Sequence, residues 1–127
     1  MIQINSIVVK EGQKWKYKNR PGENSSTTTI LKIEEYPQVT IIHIQVDGLK
    51  IPNSKSPEGF LHTLSHSPFS EEAIQNSLTD LISENVTLPE YEEGYAEWKE
   101  QFDLKKAGYW TSEIKDAIQA MAQALQE

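Results

Sequence analysis

The chain contains no cysteine. Disulfides, thiolate metal sites and cysteine nucleophiles are therefore excluded. Long apolar runs are also missing, and none approaches the roughly 20 residues that a membrane-spanning helix needs. The opening MIQINSIVVKEGQ is too polar, and its apolar part too short, for a secretory signal. No membrane partner and a cytoplasmic location are the expectation. Glycines are few, and none stands in a G-x-G-x-x-G or G-x-x-x-x-G-K pattern, so no phosphate loop is expected. A G-x-S-x-G nucleophile elbow is missing too. No internal repeat occurs at solenoid spacing.

What is present fits one domain over residues 1–127, long enough to bury a core. The net charge is -7 and is unevenly spread. Residues 1–69 hold 8 Lys+Arg against 6 Asp+Glu, or +2. Residues 70–127 hold 4 against 13, or -9. Phosphate neutralisation needs clustered cations, so no nucleic-acid binding is expected. The acidic half could steer a basic protein partner, although acidity also simply keeps helices soluble.

The hydrophobic pattern changes near residue 69 from strand-like to helical. Ile2, Ile4, Ile7 and Val9 read as a first strand with a slip in its alternation. In KWKYK, Trp15 and Tyr17 face one way and the lysines the other. Pro21-Gly22 has the residue types of a type II turn, which would make the region a hairpin. TTTILKIEEY and VTIIHIQV follow as strands, the second apolar on both faces and so central. EYPQ and DGLK read as the turns between strands. IPNSKSPEG reads as a loop, and FLHTLSH as one further extended segment.

Three helices are expected after residue 69. Ser70 has the place of an N-cap, with Glu71 and Glu72 in the first turn and Phe69 and Ile74 as a staple. Ile74, Leu78, Leu81 and Ile82 form its stripe. Thr87 and Glu90 have capping-box spacing for the second helix. Tyr91, Tyr95, Trp98 and Phe102 recur along one of its faces. Gly94 on that stripe implies close approach by another backbone, and Lys105, Lys106 and Gly108 mark the end. The third helix follows Thr111 or Ser112 and buries Ile114, Ala117, Ile118, Met121, Ala122 and Leu125. The fold class is α+β: an antiparallel meander of about four strands, then three helices packed on the sheet.

No catalytic constellation emerges. His62 and His66 have helical metal spacing, but their segment is extended, which sets them about 13 Å apart. His43 reads as a satisfied sheet histidine, so no metal and no cofactor are expected. Ser65 beside His66 is adjacency in sequence, which is no evidence for a triad. Glu93 and Glu97 lie one turn apart, as expected on any glutamate-rich helix. The aromatics are the better candidates, since Trp and Tyr join apolar area to a polar tip. The candidate binding set is Trp15, Tyr17, Arg20, Tyr91, Tyr95, Tyr109 and Trp110. Within it Trp15 is the most core-like, as is Trp98 outside it. Tyr91, Tyr109 and Trp110 read as the wall of a groove between helices.

The segments GQKWKYKNRPGE, IIHIQVDGLKI, HSPFSEEA, YEEGYAEWKEQF and KKAGYW carry a resemblance across most of the chain. With their W-x-Y-x-x-R-P-G-E and E-x-G-Y-x-x-W motifs, they resemble a family of small uncharacterised bacterial proteins. The resemblance implies a cytoplasmic α+β domain and carries over no catalytic residue. The expected function is a non-catalytic binding or interaction domain, immunity- or adaptor-like, meeting a basic partner or forming a homodimer. The alternative is a small-molecule-binding protein or enzyme with an aromatic-lined pocket between sheet and helices.

Overall fold

A computed structural model describes residues 8–125. The elements run β1 (Lys14–Tyr17), β2 (Thr27–Glu35), β3 (Thr40–Pro52), β4 (Phe60–Ser70), α1 (Glu71–Ser77), β5 (Leu78–Ser83), α2 (Glu92–Asp103) and α3 (Ile114–Leu125). The five strands form one antiparallel sheet in the order β4-β3-β2-β1-β5. The class is α+β as expected, with an antiparallel meander over the first four strands. The expected first strand falls largely on residues 1–7, outside the described residues.

Three elements differ from the sequence reading. The first helix stops at Ser77, and Leu78–Ser83 turn into β5 beside β1. Ser77 makes this break: its hydroxyl donates to the Ala73 carbonyl and accepts from the Ile114 amide. Its carbonyl takes the Lys18 amide that follows β1. Leu81 and Ile82, expected on a buried stripe, are exposed. DGLK is not a turn either, because β3 runs through it with a register shift between Asp47 and Ile51. Gly48 serves a close approach there. Its φ is +80°, and a Cβ would stand 3.0 Å from the Ser26 Cα. The second helix begins at Glu92, not near Thr87, and Tyr91 at its N-cap gives no side-chain cap.

Other local signals match. Gly22 has φ +86° and the Glu23 amide donates to the Arg20 carbonyl, as a type II turn requires. Ser70 caps α1 by accepting the Ala73 amide at 3.1 Å. Ser70→Ala is expected to cost about 1 kcal/mol, read as a lower thermal midpoint. Helix α2 ends in a Schellman motif, with the Lys106 amide on the Gln101 carbonyl and the Lys105 amide on that of Phe102. The left-handed residue of this motif is Lys105 at φ 62°, not Gly108.

The sheet separates two unlike faces. On one, Ile42, Ile44, Val46, Leu49 and Ile51 of β3, with Phe69 of β4, pack with Ile74 of α1 and Ile114 and Ile118 of α3. This is the main core, and Trp15 and Tyr17 belong to it. On the other face, His43 and its neighbours lie under α2, which has no fully buried residue. No helix among the described residues is long and apolar enough to cross a membrane.

Candidate functional site

Two bulges shape the face beneath α2. On β2, Ile30 pairs with Ile44 but Lys32 pairs with His43, so Leu31 is an extra residue. Side chains alternate along a strand, so an inserted residue reverses everything after it. Glu34 would otherwise share the face of Ile30, and the bulge moves it beside His43. On β4, Ser67 pairs with Ile44 and Leu64 with Val46. Ser65 and His66 therefore oppose the single residue Gln45, and both reach the edge of the same face.

The result is a chain of polar groups across three strands. Glu34 Oε1 lies 2.8 Å from His43 Nε2, and His43 Nδ1 lies 2.8 Å from His66 Nε2. Tyr95 of α2 donates to Glu34 Oε2 at 2.5 Å, and Tyr36 donates to Oε1 at 3.1 Å. Lys99 donates to the Tyr36 hydroxyl and to Asp103. The rings of Tyr95 and Trp98 meet His43 edge-on, with centroids 5.1 and 4.9 Å away. Gly94 lies over His66, where a Cβ would stand 3.6 Å from the His66 Cβ. The close neighbour of Gly94 is thus a side chain, not a backbone.

Hydrogen bonding fixes the tautomers. Ionised Glu34 only accepts, so His43 carries its proton on Nε2. Its Nδ1 then accepts, so His66 donates from Nε2. His66 Nδ1 is left as a lone pair with no partner among the described residues. Burial would raise the Glu34 pKa, but bonds from Tyr95, His43 and Tyr36 overcome it and hold the carboxyl below its ordinary value. Burial lowers His43 despite that carboxylate. Burial, followed by the charge of His43, lowers His66 to about 4. Both imidazoles are therefore neutral at pH 7.

His66 also lines a cleft of about 590 Å³, with Ser65 on one side and Glu90 to Gly94 on the other. Tyr91 and three glutamates, Glu90, Glu92 and Glu93, give it an acidic rim around an aromatic ring. Among the described residues, no group of three or more His, Asp or Glu side chains is placed to hold a metal ion.

The seven sequence candidates are dispersed. Trp15 is 7 % exposed and donates from its indole to Gln13. Tyr17 is 2 % exposed and bonds Ser26. Arg20 grips Glu23 with two hydrogen bonds and reaches Gln119 of α3. Tyr91 stands in the cleft wall and Tyr95 in the polar chain beside it. Tyr109 and Trp110 line a separate shallow groove of about 430 Å³ with Pro68, Trp98 and Gly108. Trp98 rests half-buried on His43 and outside the main core, its indole donating to the Gly108 carbonyl.

His43 is the satisfied sheet histidine that its place in the strand predicts, its ring fully buried with both nitrogens bonded. Glu34, Tyr36, Ser65 and His66 are members of the site that the sequence pattern does not mark. The available signal was a histidine within an apolar strand, whose two nitrogens require two partners. No family model, curated protein or solved structure matches the chain.

Proposed function

We propose that this is a non-catalytic binding domain, and that the cleft between β4 and the start of α2 receives a cationic group from a basic protein partner. The observation that carries this is the cleft's composition. Three glutamates and Tyr91 line the same cleft as a neutral histidine whose free lone pair can accept an N–H. A lysine or arginine side chain supplies both the charge and the donor, and Tyr91 offers a ring face to the cation. The excess negative charge of the second half would speed the approach of such a partner.

The reading is tested by adding a short arginine-rich peptide to labelled protein and following amide shifts. Shifts should concentrate at Ser65, His66 and residues 90–94 and weaken with salt. Charge reversal in the Glu92→Lys, Glu93→Lys double variant should weaken binding by tenfold or more, corresponding to about 1.4 kcal/mol. Binding unchanged by charge reversal would refute the cleft as its seat.

A second reading, a small-molecule-binding protein or enzyme, draws on the Glu34–His43–His66 chain, which has the form of an oriented base at a cleft wall. The low proton affinity of His66 counts against it, because an efficient general base at neutral pH has a pKa near the working pH. A ligand carried through purification and bound beside His66 would favour this second reading.

A further inference from the structure

We propose that the segment from residue 87 to residue 109 is an acid-released strap, which lifts from the sheet when the histidine pair beneath it takes up protons while the sheet stays folded.

The strap is pinned at both ends by backbone bonds. Before it, the Val86 amide donates to the Gly12 carbonyl. After it, the Trp110 amide donates to the Pro68 carbonyl and the Ser70 amide to that of Trp110. Between these points its helix, α2, has no fully buried residue. Its hold on the sheet comes from the rings of Tyr95, Trp98 and Phe102 and from the bonds of Tyr95 and Lys99. The main core lies on the other face and does not need these contacts. Opening the strap therefore exposes the histidine cluster while the main core on the other face stays packed.

The groups facing the histidines set the direction. From β2 come Glu34 and Lys32, and from the turn after it Tyr36. From α2 come Tyr95 and Lys99, and along the cleft stand Glu90, Glu92 and Glu93. Among the described residues Glu34 is the only carboxylate bonded to the pair, and Lys32 and Lys99 oppose a positive charge there. In the closed state His66 binds a proton only near pH 4, whereas an exposed histidine does so near its ordinary 6.5. Between those values the open state holds more protons, so acid favours opening. The opening equilibrium can rise by at most tenfold for each pH unit between those values. Glu34, whose pKa is lowered in the closed state, adds a second step below its ordinary 4.5.

Native-state hydrogen exchange on the full chain tests this, with rates corrected for the intrinsic effect of pH. The amides of residues 92–103 should lose protection progressively from pH 6.5 to 4, because a short helix released from the sheet frays. The Trp15 indole and the β2–β3 amides should keep theirs. In His66→Gln, whose amide can still donate to His43, the slope across residues 92–103 should fall. Equal loss in α2 and in the β2–β3 amides would overturn the strap, as would an unchanged slope in His66→Gln. Should that variant not fold, an NMR titration of the wild-type His66 ring decides: a midpoint well below 6.5 supports the strap and an ordinary midpoint refutes it.

Discussion

Glu34→Ala is expected to lower the unfolding free energy by about 3 kcal/mol at neutral pH, the largest effect of any single change on the face beneath α2. The Glu34 side chain is 17 % exposed, yet it accepts from three donors. Its removal leaves the fully buried His43 with a ring N–H and no acceptor. The hydroxyls of Tyr95 and Tyr36 lose their acceptor as well, although Lys99 still donates to Tyr36. One unsatisfied buried donor costs roughly 1–3 kcal/mol. The pH dependence identifies the cause. The Glu34 pKa is lowered on folding, so its stabilising contribution is present above the ordinary 4.5 and is lost as pH falls through the lowered value. Urea titrations of variant and wild type should therefore differ most at neutral pH and converge in acid. A gap independent of pH would show that lost packing, rather than the carboxylate, is responsible.

Arg20→Ala should cost about 3 kcal/mol as well, at the opposite end of the sheet. Its partner Glu23 is 2 % exposed, against 15 % for the arginine. Glu23 also accepts the Lys50 amide at 2.8 Å, so it joins the β1–β2 turn to β3. An exposed pair of this kind would contribute at most about 1 kcal/mol. Burial of Glu23 raises the cost of removing the arginine. Burial pushes the Glu23 pKa upward, and the bonds from Arg20 and Lys50 overcome it, so the folded value lies below the ordinary one. Without Arg20, a buried carboxylate keeps only the Lys50 contacts. The deficit should be greatest above pH 4.5 and shrink in acid, where a protonated Glu23 no longer needs a cation. Chemical denaturation at pH 7 and pH 3.5 gives the two values. Were Arg20 mainly a ligand contact, the substitution would leave stability nearly unchanged.

These two carboxylates mark where local sequence signals stop. Ser70, with glutamates after it and Phe69 before it, announces a helix start, because caps and staples are local. The meander is legible for the same reason: alternation and turn residues act over short spans. Leu78 to Ser83 were not, because their apolar spacing suits a helix and only pairing with β1 makes them a strand. Glu34 and His43 became neighbours through the extra residue Leu31. Strict alternation places Glu34 on the face of Ile30, and a bulge inside TTTILKIEEY leaves no glycine to betray it. His66 reaches the cluster from 23 residues away, a separation that spacing rules do not cover. Tyr95 was found as an aromatic on a stripe, but its hydroxyl partner lies 61 residues back.

The order β4-β3-β2-β1-β5 also has a consequence in time. Strands β4 and β5 are joined through only seven helical residues, yet they occupy opposite edges of the sheet. The hairpins β1–β2, β2–β3 and β3–β4 are each local and can form as the chain leaves the ribosome. The outer edge of β1 stays open until residues 78–83 have been made and carried across the sheet. Ile114 and Ile118 must then arrive to cover the core. Closing such distant pairs sacrifices chain entropy before any contact compensates, so the last step should be slow relative to the hairpins. Until then β1 offers a bare strand edge to other nascent chains, and the lysines of KWKYK are well placed to keep them apart.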